Sequence, residues 1–395
     1  MAHTVLEFLV LVSIGLVVYS YAIYPLVLTG VAGIAQTIRD ARYVLRKAER
    51  RIAQNADLPQ VGVVIAAFNE EQHIESRIEN LLELDYPAHL LRLYIGSDGS
   101  TDRTNDILAA KHGPRVHTFA FQANRGKATV LNDLVEQVDE EIVVFSDANT
   151  YFDQQALLRL VAHFSDERVG AVSGELRLKR SAGDNQDSLY WRVEQYLKFF
   201  EARIGGLLGA NGAIYAIRRS LWRPLATDTI CDDFCVAMNV AASGHRLVYE
   251  PTAWADEDTP NAIGEEYKRR VRIGICNFQA LVRHPHYLYG TSIGTAFAYV
   301  SHKVLRWIAP HLLITALVAS CALGMASQGW RIAVLAQIGC YLGAWGTYRA
   351  SQRGRSLPGP FRISAFLFAL NWALFVASIR YATGRYSGSW RRTHR

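Results

Sequence analysis

The sequence predicts an α/β protein in which a mostly parallel central sheet is flanked by transmembrane helices. Between residues 57 and 285, short apolar runs typical of buried strands alternate with amphipathic stretches typical of helices, which is the pattern of βαβ units. Toward both ends of the chain, apolar runs of about 20 residues are long enough to cross a hydrocarbon core of ~30 Å. The 395 residues are 50% hydrophobic and carry a net charge of +6, and this composition excludes a mainly disordered chain.

The first apolar run, residues 5–32, contains one acidic residue and no basic residue. It lacks the basic start and small-residue cleavage site of a signal peptide, so we interpret residues 1–34 as a retained membrane helix. Residues 35–56 are rich in Arg and Lys and predict a juxtamembrane amphipathic helix that lies on lipid headgroups. The positive-inside rule then places the following domain in the cytoplasm.

About three further membrane helices are predicted within residues 307–382. Their apolar runs are 308–326, 330–348 and 361–380. Residues 383–395 form a basic tail. The basic loop at 349–356 and this tail both favour the cytoplasmic side although one span separates them, so the side of the C-terminus stays open.

Residues 263–306 are predicted to form interfacial helices between the soluble domain and the spans. The stretch 291–306 is apolar on one face, but it carries His302, Lys303 and Arg306. Charged side chains at this spacing favour a helix that lies in the membrane surface over one that crosses it.

The soluble domain is predicted to occupy residues 57–262. Its first four strands are predicted at 61–68, 91–97, 115–121 and 141–147. Helices are predicted to begin near residues 69–71, near residues 100–102 and at residue 126, and a later one is predicted over 187–203. Ligands of parallel sheets bind beyond the carboxyl ends of the strands, so the residues at these ends are the candidates for ligand binding and catalysis.

Polar clusters follow the predicted strands at 69–70, 97–102, 124–127 and 146–150. Each cluster alone is explained by helix N-caps without any ligand, but caps do not explain why carboxylates, amides and basic groups share one edge. Carboxylate and amide oxygens suit Mg²⁺ or Mn²⁺, and such a cation suits a diphosphate. Arg125 and Lys127 would neutralise the remaining phosphate charge. Neither a Walker A motif nor a GxGxxG motif is present.

Five cysteines are scattered through the second half of the chain. They are Cys231, Cys235, Cys276, Cys321 and Cys340. Their number is odd, and no spacing indicates a zinc site or a disulfide framework. We therefore expect isolated, reduced thiols in a cytoplasmic domain.

Six ordered motifs together resemble the family 2 glycosyltransferases. They are VGVVIAAFNEE, SDGSTD, NRGKATVLN, SDANT, GANGAIYAIRR and TICDDFCVAMNVAASGHRLVYEP. The resemblance covers roughly residues 60–285 and is strongest to the membrane-embedded branch with the cellulose, chitin and hyaluronan synthases and the rhizobial chitooligosaccharide synthases. It implies a GT-A fold and an inverting, metal-dependent transfer from a nucleotide sugar, specifically a UDP-sugar. The product would be a β-linked glycan made at the cytoplasmic membrane face.

The resemblance also implies a role for individual residues in donor binding. The nucleotide sugar would be bound by Ala67, Asn69, Glu70, Asp98, Arg125, Lys127, Asp147, Arg269 and Arg272. Asp147 and Asn149 occupy the two positions of the family's DxD metal motif, so both are expected to bind Mg²⁺ or Mn²⁺. The amide of Asn149 stands where many members have a second Asp.

Catalysis and acceptor binding are assigned in the same way. Asp233, with Asp232 beside it, falls on the family's general base, and general-base catalysis is typically worth about 10²–10⁴ in rate. The acceptor would be bound by Gly209, Asn211 and Gly212, since glycine lets a backbone approach a sugar closely. Trp254 is a further acceptor candidate as an aromatic platform, and Trp191 and Phe278 are its alternatives. Processive members carry a Gln-x-x-Arg-Trp motif whose Trp stacks on the acceptor sugar, and Ile273 stands at that position here. This departure favours the alternative of a non-processive enzyme that adds one sugar to a lipid-linked acceptor.

The expected partners are a nucleotide-sugar donor, a glycan or lipid-linked acceptor and membrane lipids. A homo-oligomer is a further expectation, since a secreted polysaccharide would cross the membrane either through the chain's own spans or through an oligomer. Nucleic acid is not expected, because the basic residues cluster beside predicted membrane helices.

Overall fold

The computed structural model describes residues 1–46, 57–179, 187–258 and 263–386. Its centre is an eight-stranded sheet with the order β3-β2-β1-β4-β7-β6-β8-β5. The strands are β1 (Val61–Ala67), β2 (Leu91–Asp98), β3 (Val116–Phe121), β4 (Ile142–Asp147), β5 (Thr150–Phe152), β6 (Val169–Lys179), β7 (Tyr215–Arg218) and β8 (Arg246–Asp258). The predicted ends of the first four strands are confirmed to within one residue.

The helices lie on both faces of this sheet and in a separate bundle. They are α1 (Ala2–Val18), α2 (Tyr24–Arg46), α3 (Ile74–Leu82), α4 (Thr104–Lys111), α5 (Lys127–Glu136), α6 (Ala156–Val161), α7 (Asp187–Arg203), α8 (Asp232–Ala242), α9 (Ile263–Arg283), α10 (Ile293–Ala298), α11 (Leu305–Gly324), α12 (Gln328–Gln352) and α13 (Gly359–Ala382). The predicted helix over 187–203 is confirmed at both ends.

The strand pairing shows why the first motifs meet. β1 pairs in parallel with β2 and with β4, and β2 pairs in parallel with β3, so the carboxyl ends of four strands share one edge. All seven residues of β1 are buried, because α3 and α6 pack on one face of the sheet and α5 and α8 on the other. A strand that is covered on both faces has to be apolar throughout.

Among the described residues, three helices are long and apolar enough to cross a membrane. The first, Ala2–Leu45, consists of α1 and α2 joined through a π-helical segment at Tyr19–Ile23, so the predicted boundary at residue 34 is not a break in the helix. The other two are Ile293–Gly324 and Gly359–Ala382. The predicted span at 330–348 is a helix, α12, but its mean hydropathy is lower than that of the three candidate spans. Residues 47–56 and 387–395, which include most of the predicted basic segments, lie outside the described residues.

The stretch 291–306, predicted as an interfacial helix, is not an element of its own, and its place in the membrane surface stays a prediction. α10, a π-helical segment at Tyr299–Val304 and α11 form one continuous helix, Ile293–Gly324. His302 and Arg306, which suggested a membrane surface, are buried. They are buried because carboxylates from α7 pair with them, and those carboxylates are more than 100 residues away in the sequence.

Candidate active site

The loops after β1 and β2 are held together by hydrogen bonds between backbone and side chains. The backbone N–H of Asn69 donates to Ser100 Oγ over 3.0 Å, and that of Thr101 donates to Asn69 Oδ1 over 2.8 Å. The backbone N–H of Glu70 donates to Thr104 Oγ1 over 2.9 Å. Asn69 has a φ of 56°, a conformation that Asn tolerates better than most residues. The polar clusters thus form one rigid rim, and Ala67 lies fully buried beneath it.

Asp98 is buried and positions the loop after β3. Its Oδ1 accepts the backbone N–H of Arg125 over 2.8 Å, and its Oδ2 accepts that of Gly126 over 2.9 Å. Gly126 has a φ of 93°, which side-chain-bearing residues rarely adopt. The observed role of Asp98 is therefore to fix the start of α5, and its predicted contact with a nucleotide stays a prediction.

Lys127, the first residue of α5, joins the ends of two other elements. Its Nζ lies 2.8 Å from Asp147 Oδ1 at the end of β4 and 3.4 Å from Asp232 Oδ2 at the start of α8. Partial burial disfavours the charge of Lys127, but the two carboxylates outweigh it and raise the pKa of Lys127 above its usual value. We call Lys127, Asp147, Asp232 and Asp233 the acidic cluster.

Asp233 sits in the first turn of α8, where the helix dipole favours a carboxylate. Its Oδ2 accepts the backbone N–H of Gly212 over 3.2 Å. Burial, together with the neighbouring charge of Asp232, raises the pKa of Asp233 to about 6. A carboxylate with this pKa is mostly ionised at neutral pH and is a better base than an ordinary Asp.

The loop at residues 209–212 approaches α8 closely. A Cβ on Gly212 would lie 3.1 Å from Asp233 Oδ2, and Gly209 has a φ of 75° with Phe234 against it. The backbone N–H of Asn211 donates to Ser173 Oγ over 2.9 Å. We call residues 209–212 the floor loop, since it lies directly against the predicted base.

The predicted acceptor residue Trp254 is not part of the acidic cluster. It lies opposite Glu175 in the β6–β8 pairing, and the guanidinium of Arg177 is 4.3 Å from the centre of its ring. Trp254 lines a different cavity, to which no member of the acidic cluster contributes.

The residues predicted to bind a metal fit a cation that arrives with a diphosphate. Within the described parts of the chain, no group of three or more His, Cys, Asp or Glu side chains is placed to hold a metal ion. Asn149 donates its amide N–H to Glu257 Oε1 over 3.1 Å, so its amide oxygen is the atom that would bind a cation. One carboxylate from Asp147 and one amide oxygen from Asn149 are a typical protein share for Mg²⁺ or Mn²⁺ when phosphates supply other ligands.

The predicted arginines divide into two groups. Arg125 is paired with Asp133 over 2.6 Å and lies over the ring of Phe121, so its side chain is committed within its own loop and helix. Arg269 and Arg272 are on α9. The exposed Arg272 lies within electrostatic range of Asp147, Asp232 and Asp233.

A disulfide between Cys231 and Cys276 ties α9 to the start of α8, so the expectation of isolated thiols is wrong for these two residues. Cys231 directly precedes Asp232, and Cys276 lies one helical turn after Arg272. The bond joins positions 45 residues apart, and no local spacing predicts such a pairing.

Two basic residues near the site were not predicted from the sequence. Arg77 of α3 is fully buried beneath the rim, where it donates to Ser146 Oγ over 2.8 Å, and burial lowers its pKa to about 9. Arg77 shares the apolar stripe of α3 with Ile74, Ile78 and Leu81, and a basic residue on such a stripe indicates a buried charge. Lys198 of α7 lies within electrostatic range of Asp233, which nothing in the sequence indicated.

Comparison with known proteins agrees with this architecture. Residues 62–223 match the family model described as Glycosyl transferase family 2. The chain is 29% identical over 254 residues to a poly-beta-1,6-N-acetyl-D-glucosamine synthase of Staphylococcus aureus, covering 62% of this chain and 60% of the relative. It is 27% identical over 241 residues to the synthase of the same name from Staphylococcus epidermidis. The chain thus spans about three fifths of the length of these curated relatives.

A solved structure shares the fold of nearly the whole chain. It is the mannosyltransferase PcManGT from Pyrobaculum calidifontis in complex with GDP-Man and Mn²⁺, with a TM-score of 0.66 and 23% identity. The match covers 98% of this chain and all of the other. The expected GT-A architecture is confirmed by this likeness, which at such an identity concerns the fold alone.

Proposed function

We propose that the chain, whose residues 62–223 match the family model Glycosyl transferase family 2, transfers a sugar from a nucleotide-sugar donor to a hydroxyl of a growing β-linked glycan, with inversion at the anomeric carbon. The donor is a UDP-sugar, and the relatives named as poly-beta-1,6-N-acetyl-D-glucosamine synthases make UDP-N-acetylglucosamine the first to test. The reaction takes place at the cytoplasmic membrane face, beside the three apolar helices.

The observation that carries this proposal is the geometry of the acidic cluster. Lys127 contacts Asp147 and Asp232 at once, so groups from α5, β4 and α8 meet at one point. Asp233 is the next residue after Asp232, and it is held against the floor loop. A lysine among carboxylates suits a diphosphate that arrives with a divalent cation, and a carboxylate beside it suits an incoming hydroxyl.

In the proposed mechanism, Asp233 accepts the proton of the acceptor hydroxyl as that oxygen attacks the anomeric carbon. The oxygen forms the new glycosidic bond on the face opposite the diphosphate, which leaves with the electrons of the broken bond. Lys127 stabilises the negative charge that develops on the leaving group. A bound Mg²⁺ or Mn²⁺ would supply further charge stabilisation there, held by Asp147 and Asn149.

The alternative is a single addition to a lipid-linked acceptor. Ile273, at the position of the stacking Trp of processive members, is 40% exposed on α9, next to Arg272. Without an aromatic platform there, a long glycan is held less firmly after each transfer. Sizing the product made from one donor separates the two functions, since a ladder or polymer indicates processive synthesis and a single added sugar the alternative.

The test of the proposed function is transfer by the purified full chain with UDP-N-acetylglucosamine and Mn²⁺. Asp233→Asn keeps the size of the side chain but removes the base, so we expect transfer to fall by at least about 10²-fold while donor binding persists. Asp106→Asn, on the exposed surface of α4, is the matched control and should behave as wild type. Retained turnover in Asp233→Asn would remove Asp233 from the mechanism.

A further inference from the structure

A cavity of about 580 Å³ opens on the outer part of the β6–β8 pairing. It is lined by Arg159, Glu175, Arg177, Pro251, Thr252 and Trp254. We call this cavity the distal cleft. None of its residues belongs to the acidic cluster, and the proposed transfer does not use them.

The distal cleft lies where β8 has four residues opposite a single residue of β6. Ser173 pairs with Tyr249 and Glu175 pairs with Trp254, so residues 250–253 of β8 lie opposite the single Gly174 of β6. A Cβ on Gly174 would lie 2.5 Å from the carbonyl oxygen of Ala253, so the backbones meet closely here. A bulge of this kind redirects side chains and is often found beside an active site.

A chain of contacts leads from the proposed base to the bulge. Asp233 accepts the backbone N–H of Gly212, and the neighbouring Asn211 donates its backbone N–H to Ser173 Oγ over 2.9 Å. Ser173 is the last paired residue of β6 before the bulge. The floor loop therefore rests on the strand that continues into the distal cleft.

From Ser173 the strand reaches the distal cleft within two residues. Tyr249, opposite Ser173, donates its hydroxyl to Glu175 Oε2 over 3.1 Å. Two residues of strand advance by roughly 6–7 Å, which is close to the length of one sugar unit. The distal cleft thus begins about one to two sugar units from the floor loop.

The groups in the distal cleft match the surface of a sugar ring. One face of the half-buried indole of Trp254 lies against the guanidinium of Arg177, 4.3 Å from the ring centre, and the rest of its apolar surface lines the cavity for the C–H side of a sugar. Glu175 is held in place because Gln195 and Tyr249 both donate to it, and its carboxylate and the guanidinium of Arg177 can accept from and donate to hydroxyls. Arg159 is anchored to Asp153 over 3.1 Å. Charges of both signs suit a neutral polar ligand better than a strongly charged one.

We propose that the distal cleft binds a sugar unit of the acceptor glycan, one to two units behind the hydroxyl that receives the new sugar. This inference rests on the proposed function, since it assumes that the acceptor is a glycan. It predicts that the enzyme favours acceptors of several sugars over a single sugar, because only a longer acceptor reaches Trp254.

The experiment uses the purified full chain and oligomers of β-1,6-linked N-acetylglucosamine with one to five units. Transfer from UDP-N-acetylglucosamine is measured as kcat/KM for each length, and binding of the tetramer without donor is measured by saturation-transfer NMR. Trp254→Ala is compared with Trp345→Ala, because Trp345, which is 50% exposed on α12, also has an arginine over its ring. Trp254→Phe is the conservative variant that keeps an aromatic face.

We expect wild-type kcat/KM to rise with acceptor length and Trp254→Ala to reduce the tetramer-to-monomer ratio by about tenfold, as for one lost aromatic contact. Trp345→Ala should keep the wild-type ratio, and Trp254→Phe should recover most of it. Tetramer binding should weaken in Trp254→Ala alone.

The inference is overturned if Trp254→Ala keeps the wild-type length dependence and tetramer affinity. It is also overturned if all lengths lose activity equally, because that indicates a structural role only. If wild type transfers no sugar but binds the tetramer through Trp254, the proposed function fails for this donor and the distal cleft stands.

Discussion

For individual residues, the proposed chemistry depends on how one lysine and three carboxylates share a small volume. Lys127 compensates the charges of Asp147 and Asp232, whereas Asp233 turns toward the floor loop. The carboxylates are therefore unequal, and the raised pKa of Asp233 marks it as the one suited to accept a proton.

The first residue-scale prediction concerns pH. Because the pKa of Asp233 is raised to about 6 and a base must be unprotonated, kcat/KM should be level above about pH 7 and fall roughly tenfold per unit below pH 6. The measurement is a pH–rate profile from pH 5 to 8.5 with the Asp106→Asn variant beside wild type. A level profile across this range would contradict the assignment of Asp233 as the base.

The second concerns Lys127. Lys127→Met removes the cation between the carboxylates, so leaving-group stabilisation is lost and activity should fall by about 10²-fold. The repulsion left among the three acids should also move the acidic limb of the pH profile to higher pH. Lys111→Met, a surface lysine paired with Glu75 and Glu79, is the matched control. An unshifted profile would mean that Lys127 does not set the ionisation of the cluster.

Among the helices, α9 is attached in its middle both to the start of α8 and to the membrane bundle. The disulfide from Cys276 to Cys231 joins it to α8, and Gly274 packs so closely on α13 that a Cβ would lie 2.6 Å from Ala377. The position of Arg272 relative to the acids thus depends on both attachments.

We predict that Cys276→Ser lowers the free energy of unfolding by about 2–4 kcal/mol, because the unfolded chain loses a cross-link. Dithiothreitol should lower the thermal unfolding temperature of wild type, and it should leave that of Cys276→Ser unchanged. Cys321→Ser, at an exposed free cysteine, is the control. Peptide mapping that finds no Cys231–Cys276 linkage in the purified protein would refute the pairing.

At the scale of the whole molecule, a buried charged network joins the catalytic domain to the membrane helices. Glu194 of α7 lies 3.1 Å from both His302 Nε2 and Arg306, and 3.3 Å from Lys303 Nζ. Glu201 lies 2.6 Å from His302 Nδ1. Because buried charges are costly unless paired, this network fixes α7 against the helix Ile293–Gly324.

We predict that Glu194→Gln destabilises the folded protein by about 3–5 kcal/mol, since it leaves buried cations without their carboxylate. The measurement is thermal unfolding in detergent, with Glu136→Gln on the exposed face of α5 as the control. Equal stability of the two variants would show that the network does not hold the domain to the bundle.

Local pattern in the chain is enough to predict the strands, the helices and the sheet edge at which the polar residues collect. Buried parallel strands such as β1 have to be continuously apolar, and a polar residue after such a strand falls at the same sheet edge as its neighbours, so Lys127, Asp147 and Asn149 were found from local pattern alone. Long-range packing sets the partners across long separations: the disulfide of Cys231, the burial of His302 and Arg306, and the place of Trp254 in the distal cleft. Local pattern reports how a residue is exposed within its own helix or strand, whereas these features depend on which distant side chain packs against it.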